Sequence, residues 1–390
     1  MTTTAPSETV DCRVVALTHY LPPYMAGVLR ELSLGARDFQ LLLSIDQEPN
    51  RQFGDTWGAL KVDVQKSLML RRPWKHGKAK DGESFTDELY IHFPYDTFSQ
   101  LRRRQPDIVF AYELGFRSLI SALYCKIYRK KLALCVCVSE HTERFRGRLR
   151  GLLRRWLLKQ ADAVSYNGPS CKAYLSRFDV PESKLFHFPY AIAQEFHFDG
   201  ELEREPHCRK RLICIGQLSE RKGVLPLLEG LISYCQSRKE RNLEIDLIGK
   251  GPLESHLKSL RLPPNLQVNF LGHIPYQQLG EKMANAGVLV FPTLADEWGL
   301  VVNEAFATGM PVIGSRFGQA ATTLIEDGVN GWQYDPTEQD SFFKTLDELN
   351  STSDEKLLAM RRNAQQRVAD ITATNVAASA LSKFAELLKS

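Results

Sequence analysis

Asp296 and Glu304, with Trp298-Gly299-Leu300-Val301 between them, are the residues whose types and spacing most clearly suggest chemistry. An ionised carboxylate can only accept hydrogen bonds, so such a pair suits a ligand rich in hydroxyl groups. The intervening backbone reads as the opening of a short helix, whose unpaired N–H groups and dipole favour an anion. Glu297 stands beside Asp296 as a second candidate acid. A site that takes both phosphates and hydroxyls points to a sugar nucleotide.

The flanking residues say how these groups are positioned. The apolar run Val288-Leu289-Val290-Phe291-Pro292 precedes the acidic stretch, and Met310-Pro311-Val312-Ile313-Gly314 follows it. The pattern is strand, acidic loop, short helix, glycine stop and strand, a βαβ crossover with its loop at the carboxyl end of a strand. In open α/β sheets that is where ligands bind. A related pattern occurs at Gly216-Gln217-Leu218-Ser219-Glu220-Arg221-Lys222-Gly223, which follows a strand candidate and opens a predicted helix over 224–234. A lysine there can meet a diphosphate beside the free N–H groups, although a plain polar loop also explains the sequence. It matches neither the phosphate-loop pattern of nucleoside triphosphatases nor the Gly-x-Gly-x-x-Gly dinucleotide fingerprint. Gly249-Lys250-Gly251-Pro252 ends another strand candidate. Its glycines let backbone approach a ligand, and a tight turn accounts for them equally well.

The first half carries weaker signals. Thr18-His19-Tyr20-Leu21-Pro22-Pro23-Tyr24 ends the first strand, so His19 and Tyr24 could touch a substrate, or the prolines could simply shape a turn. Ser139-Glu140-His141-Thr142-Glu143 also follows a strand. His141 there could supply hydrogen bonds or proton transfer near a reacting group, or be merely solvated. Ser170, after Asn167-Gly168-Pro169, could touch a substrate or cap a helix. Basic residues cluster at 71–80, at 102–104 and above all at 144–159, where Arg144, Arg146, Arg148, Arg150, Arg154, Arg155 and Lys159 stand without an acid. The helix predicted over 145–160 puts Phe145, Leu149, Leu152, Leu153, Trp156 and Leu157 on one face and arginines on the rest. That is a half-buried helix with a solvated basic face, or a contact for anionic lipid headgroups worth ~1 kcal/mol per cation. A net charge of +4 and the lack of a recognised binding module argue against nucleic acid.

A length of 390 residues favours two domains of similar size. Apolar runs alternate with helical patterns throughout, which predicts parallel sheets. Strand candidates are 13–18, 39–44, 108–112, 131–138, 163–167 and 185–188 in the first half. In the second they are 212–216, 244–249, 267–271, 288–291, 311–314 and 332–334. The segment 50–93 has little periodicity and reads as a long loop or insertion. Residues 1–10 read as a disordered tail, 11–195 as a first Rossmann-like domain and 207–373 as a second. The charged, irregular stretch 193–210 forms the junction, and 374–390 is a last helix that crosses back to the first domain. Eight cysteines without metal-ligand spacing read as reduced thiols of a cytoplasmic protein. No apolar run is long enough to span a bilayer.

Together these motifs resemble the retaining glycosyltransferases of family 4, whose architecture is GT-B: two Rossmann-like domains facing across a cleft. The likeness is strongest from Leu212 to Asp335. It is carried by Gly-x-Leu-x-x-x-Lys-Gly, Gly-x-Gly-Pro, Phe270-Leu271-Gly272-His273-Ile274, the acidic motif and Glu326-Asp327-Gly328-Val329-Asn330-Gly331. The resemblance implies that Asp296 (or Glu297), in place of the family's first glutamate, accepts from the donor sugar and Glu304 from the ribose. It gives the diphosphate to Lys222 and to the backbone of Gly299, Leu300 and Val301, and puts Gly216, Gly249 and Ile274 around the nucleotide. Gln217 stands where the family commonly has an arginine, a charge that Arg221 could replace. Also implied are transfer with retention, no obligatory metal and no cofactor beyond the nucleotide-sugar donor. The resemblance gives the acceptor to the first domain; the basic helix makes a glycan or lipid-linked molecule the expected acceptor, with an expected peripheral contact to the inner face of a membrane. Two rivals share the architecture: a sugar-nucleotide 2-epimerase and a non-catalytic nucleotide-sugar-binding protein.

Overall fold

The computed structural model describes residues 9–48, 57–75, 86–143, 147–193, 196–197, 200 and 202–389. Backbone proximity divides them into two units. One takes the chain up to Pro73, then Glu88–Ala193, then Ile371 onward; the other takes 74–87 and Gln194–Asp370.

The first unit is built on β1 (Val10–Thr18), β2 (Ala36–Leu43), β3 (Val62–Val64), β6 (Ile108–Tyr112), β7 (Lys131–Cys135), β8 (Ala163–Tyr166) and β9 (Leu185–His187). These strands form one sheet in the order β3-β2-β1-β6-β7-β8-β9, with parallel pairing throughout. A separate pair joins β4 (Ser67–Lys75) to β5 (Thr86–Pro94). The helices are α1 (Pro23–Gly35), α2 (Thr97–Arg104), α3 (Phe116–Tyr128), α4 (Arg148–Gln160) and α5 (Pro169–Ser176). All five residues of β6 are buried, as expected of a parallel strand covered on both faces.

The second unit repeats the scheme with β10 (Leu212–Ile215), β11 (Leu243–Ile248), β12 (Leu266–Gly272), β13 (Val288–Phe291), β14 (Val312–Ser315) and β15 (Gly331–Tyr334). Their order is β12-β11-β10-β13-β14-β15, and every pairing is parallel. Its helices are α6 (Val224–Ser237), α7 (Glu254–Ser259), α8 (Tyr276–Ala284), α9 (Val301–Ala307), α10 (Gln319–Leu324), α11 (Gln339–Ser351) and α12 (Asp354–Val368). The chain ends in α13 (Ala373–Lys389), whose buried Val376, Ala380 and Phe384 belong to the core of the first unit. In each sheet the strand order reverses beside the first strand: between β1 and β6, and between β10 and β13. Those reversals are the switch points at which such sheets open a crevice.

Four expectations fail. The segment 50–93 contains β3, β4 and β5 rather than only a loop. The sequence hid β4 because Leu68, Met69 and Leu70 are all exposed, which erases the alternation of a half-buried strand. On α4 the predicted apolar face is split: Leu149 is 84% and Leu152 64% exposed, while Arg154 is only 3% exposed. Glu143 draws Arg154 inward through a salt bridge, so the buried side of α4 is centred nearer Leu157 and Leu158. The strand read as 131–138 ends at Cys135, and Val10, placed in the tail, already belongs to β1. Phe145, Arg144 and Arg146 lie outside the described residues, as do residues 1–8 of the tail and 76–80 of a basic cluster.

Candidate functional site

At the switch point of the second unit two loops meet. The loop after β10 forms a single 3₁₀ turn, Glu220–Lys222. The Arg221 carbonyl accepts from Leu294 N–H at 2.9 Å and from Thr293 Oγ1 at 3.2 Å. Its guanidinium donates back to the Ala295 carbonyl at 3.2 Å. These bonds fix the turn against the loop that leaves β13, and so set Lys222 beside Asp296. Lys222 Nζ donates to Asp296 Oδ2 at 2.5 Å, and Arg221 Nη1 stands 3.9 Å from the same oxygen. Burial acts to raise the pKa of Asp296, but Lys222 and Arg221 outweigh it and hold the carboxyl below its ordinary value.

The rest of the acidic stretch is held by packing. Trp298 is buried and donates from Nε1 to Asn303 Oδ1 at 2.8 Å, which ties the loop to α9. Gly299 lies against the Phe291 ring, where a Cβ would come within 2.2 Å of a ring carbon. The Gln319 side chain donates to the Glu297 carbonyl at 2.8 Å. After α9 the chain closes with Gly309 N–H on the Phe306 carbonyl at 2.9 Å and Met310 N–H on the Ala305 carbonyl at 2.8 Å. That is the Schellman arrangement that ends a helix and frees the chain to enter β14.

Glu304, on α9, is 5% exposed and accepts from the Tyr276 hydroxyl at 2.8 Å. Tyr276 opens α8 and meets the buried Phe196 edge to face at 5.1 Å. A buried carboxylate needs such a donor. Ile274 lies half-buried two residues before Tyr276, in the loop after β12.

Gly216 and Gly249 end β10 and β11. Gly249 has φ +137°, and a Cβ on it would sit 1.8 Å from the Gly216 carbonyl oxygen, so only glycine lets these backbones touch. The Leu218 N–H donates to the Lys250 carbonyl at 3.0 Å and joins the same two loops. Gln217 is exposed.

The structure therefore brings Lys222, Arg221, Asp296 and the backbone of Gly299, Leu300 and Val301 to one switch point, with Gly216 and Gly249 on the adjoining loops. Glu297 and Glu304 belong to the same crossover. Tyr276 and Asn303 were not found from sequence; Tyr276 sits two positions beyond the motif that ends at Ile274, and that proximity was its only signal. His141 belongs to the first unit, after β7. Its neighbours serve the loop itself: Ser139 and Thr142 bond to each other, Glu143 binds Arg154, and Ser170 Oγ accepts from the Glu140 N–H at 2.9 Å.

Two Rossmann-like units, each with a switch point lined by polar side chains, define a protein of the GT-B class. The fold agrees with solved structures over nearly the whole chain. An Anabaena protein, Alr3699/HepE in complex with UDP, superposes with a TM-score of 0.68 at 16% identity, covering 97% of this chain and 99% of that one. WaaG, a glycosyltransferase involved in lipopolysaccharide biosynthesis, gives 0.64 at 14% identity, with 96% and 99% covered. Residues 199–367 match the family model for glycosyl transferases group 1. Among curated relatives, an uncharacterized glycosyltransferase of Methanocaldococcus jannaschii is 29% identical over 45% of this chain and 47% of its own length. The MMP alpha-(1->4)-mannosyltransferase of Mycolicibacterium hassiacum is 26% identical over 54% of this chain and 50% of its own. The chain thus matches about half the length of these relatives.

Proposed function

We propose that this protein is a glycosyltransferase that moves a sugar, with retention of configuration, from a nucleotide-sugar donor to a glycan or lipid-linked acceptor. The observation that carries the reading is the Lys222–Asp296 pair at the β10/β13 switch point, on the same crossover as the buried Glu304. The diphosphate would replace Asp296 as the partner of Lys222, with Arg221 supplying the charge that Gln217 cannot. The backbone N–H groups of Gly299, Leu300 and Val301 would complete its binding. Glu304 would accept from the ribose hydroxyls, and Asp296 or Glu297 from the sugar. Negative charge that develops on the leaving diphosphate is then met by fixed cations and dipoles, which is electrostatic catalysis without a protein nucleophile or an obligatory metal. UDP and UDP-glucose are bound in solved structures of similar fold, which makes them the first donors to try. A panel of UDP-, GDP- and ADP-sugars, each tested with and without chelator, is the experiment. Turnover of one donor that is lost in Glu304→Ala supports the reading; tight binding without turnover replaces it with a nucleotide-sugar-binding protein. Release of an isomerised nucleotide sugar would replace it with an epimerase.

The membrane reading takes a narrower form. Leu149 and Leu152 make an exposed apolar ridge on α4, flanked by the exposed Arg148, Arg155 and Lys159. A ridge of this kind fits an anionic lipid surface, leucines in the headgroup boundary and cations on phosphates. Sedimentation with phosphatidylglycerol vesicles should recover the wild type at low salt and lose Leu149→Asp. No recovery of the wild type at low salt removes the idea.

A further inference from the structure

The first unit has its own charged cluster at its own switch point, and the donor chemistry does not use it. His19, immediately after β1, points Nδ1 at Glu113 Oε1 across 3.1 Å, with Thr18 Oγ1 at 3.4 Å. Glu113 immediately follows β6, the strand that pairs with β1 across the reversal of order. Its other oxygen lies 3.4 Å from Nη1 of Arg117, a buried guanidinium on α3 that also donates to Ser44 Oγ at 2.7 Å. Tyr20 meets the His19 ring edge to face at 4.3 Å, and the His92 ring lies 6.2 Å away. His92 is itself buried, with Nε2 3.0 Å from Glu48 Oε1 and Nδ1 lacking a partner among the described residues.

Geometry and protonation together fix what His19 can offer. Burial would raise the pKa of Glu113, but a charged His19 and the Arg117 guanidinium outweigh it and hold the carboxyl well below the ordinary range. Where the ring is neutral, Arg117 still favours the ionised form. An ionised carboxylate only accepts, so Nδ1 of His19 carries the hydrogen of that bond. In the neutral ring the other nitrogen, Nε2, is then an acceptor. The His19 side chain is 25% exposed, so the ring is partly open to solvent. Glu113 holds φ +71°, and unlike Gln105 and Arg129, the left-handed caps of α2 and α3, it ends no helix. Residues held in sparsely populated backbone regions cluster where a side chain must be aimed.

We propose that His19, oriented by Glu113, binds the acceptor substrate by accepting a hydrogen bond from its hydroxyl group through Nε2. The group it meets therefore carries a hydrogen, as the hydroxyl of a sugar or polyol does and an ionised carboxylate or phosphate does not. Glu113 is the positioning residue, and Arg117 anchors it. The inference rests on the glycosyltransferase reading.

Two measurements test it. The first is a long-range ¹H–¹⁵N spectrum of the full chain, with His19 assigned by its loss in His19→Gln. A neutral His19 ring protonated on Nδ1 supports the proposal, and protonation on Nε2 overturns it. The second is steady-state kinetics with the donor that turns over and p-nitrophenyl glycosides as acceptor probes. His19→Ala should lower kcat/KM for the glycoside at least tenfold, with the Kd for the donor's nucleoside diphosphate within twofold of wild type. Glu113→Gln should do the same while shifting the ring hydrogen to Nε2. Unchanged acceptor kinetics, or nucleotide affinity that falls in step, would sink the assignment. A wild type inert toward every donor sinks instead the glycosyltransferase reading on which it rests. If His19→Ala does not fold, the wild-type spectrum decides.

Discussion

The two switch points solve one geometric problem with different materials. In each, a basic side chain from the loop after the first strand reaches an acid from the loop after the strand beyond the reversal. The pairs are His19 with Glu113 in the first unit and Lys222 with Asp296 in the second, and each has an arginine in attendance. The second unit presses backbone on backbone at Gly249 and backbone on ring at Gly299. Close backbone approach of that kind suits a phosphate site built from main-chain N–H groups. In the first unit the loop after β1 carries Tyr20 and a pair of prolines instead of glycines, and offers imidazole and carboxylate atoms aimed by other side chains. Backbone reads charge, whereas aimed side chains read a particular group. The difference argues for an anionic ligand on one unit and a hydroxyl ligand on the other.

The largest way to break that contrast is Lys222→Ala. It should lower kcat by about 10²–10³-fold, the usual loss when one stabiliser of a developing charge is removed, and leave acceptor KM unaltered. A loss seen only in acceptor KM would merge the two sites. Next comes Gly249→Val, which forces a Cβ into the Gly216 carbonyl. Urea unfolding should register a destabilisation of about 3 kcal/mol, the upper range for strain at a special backbone position. A neutral result would mean that the loops of the second unit are not rigidly stacked. Tyr276→Phe removes one hydrogen bond from Glu304 and should change nucleotide affinity by about 1 kcal/mol in calorimetry. The smallest effect is in the acid response. The Asp296 carboxyl is depressed in the folded protein, so its contribution is complete above the ordinary carboxylate value of about 4. It is lost as the pH falls through the depressed value. The Tm difference between wild type and Asp296→Asn should therefore be constant near neutrality and close on acidification. A gap that widens in acid would reverse the sign assigned to Lys222.

Much of the second unit was legible because its signals are local. β10, β13 and β14 are apolar runs bounded by glycine and charge, and the acidic motif lies within one crossover. The first unit was less legible. His19 and Glu113 lie far apart in sequence and meet only because β1 and β6 are neighbours in the sheet. His92 lies on β5, inside the segment that read as a loop. Arg154 shows the converse failure. Its type and spacing put it on a solvated face, and only the distant Glu143 and Tyr174 reveal that it is buried.

The contact between Lys222 and Asp296 has one further consequence. Lys222 carries its own counter-ion, so on the proposed function a donor would not fall into an open positive charge but would exchange with a resident anion. Weakly held anions such as chloride gain little by displacing Asp296, whereas a diphosphate brings enough charge to do so. The exchange also releases a carboxylate at the moment the phosphates dock. An acceptor for sugar hydroxyls would then be set free by the same ligand that carries the sugar, and the two ends of the donor would bind in a fixed order.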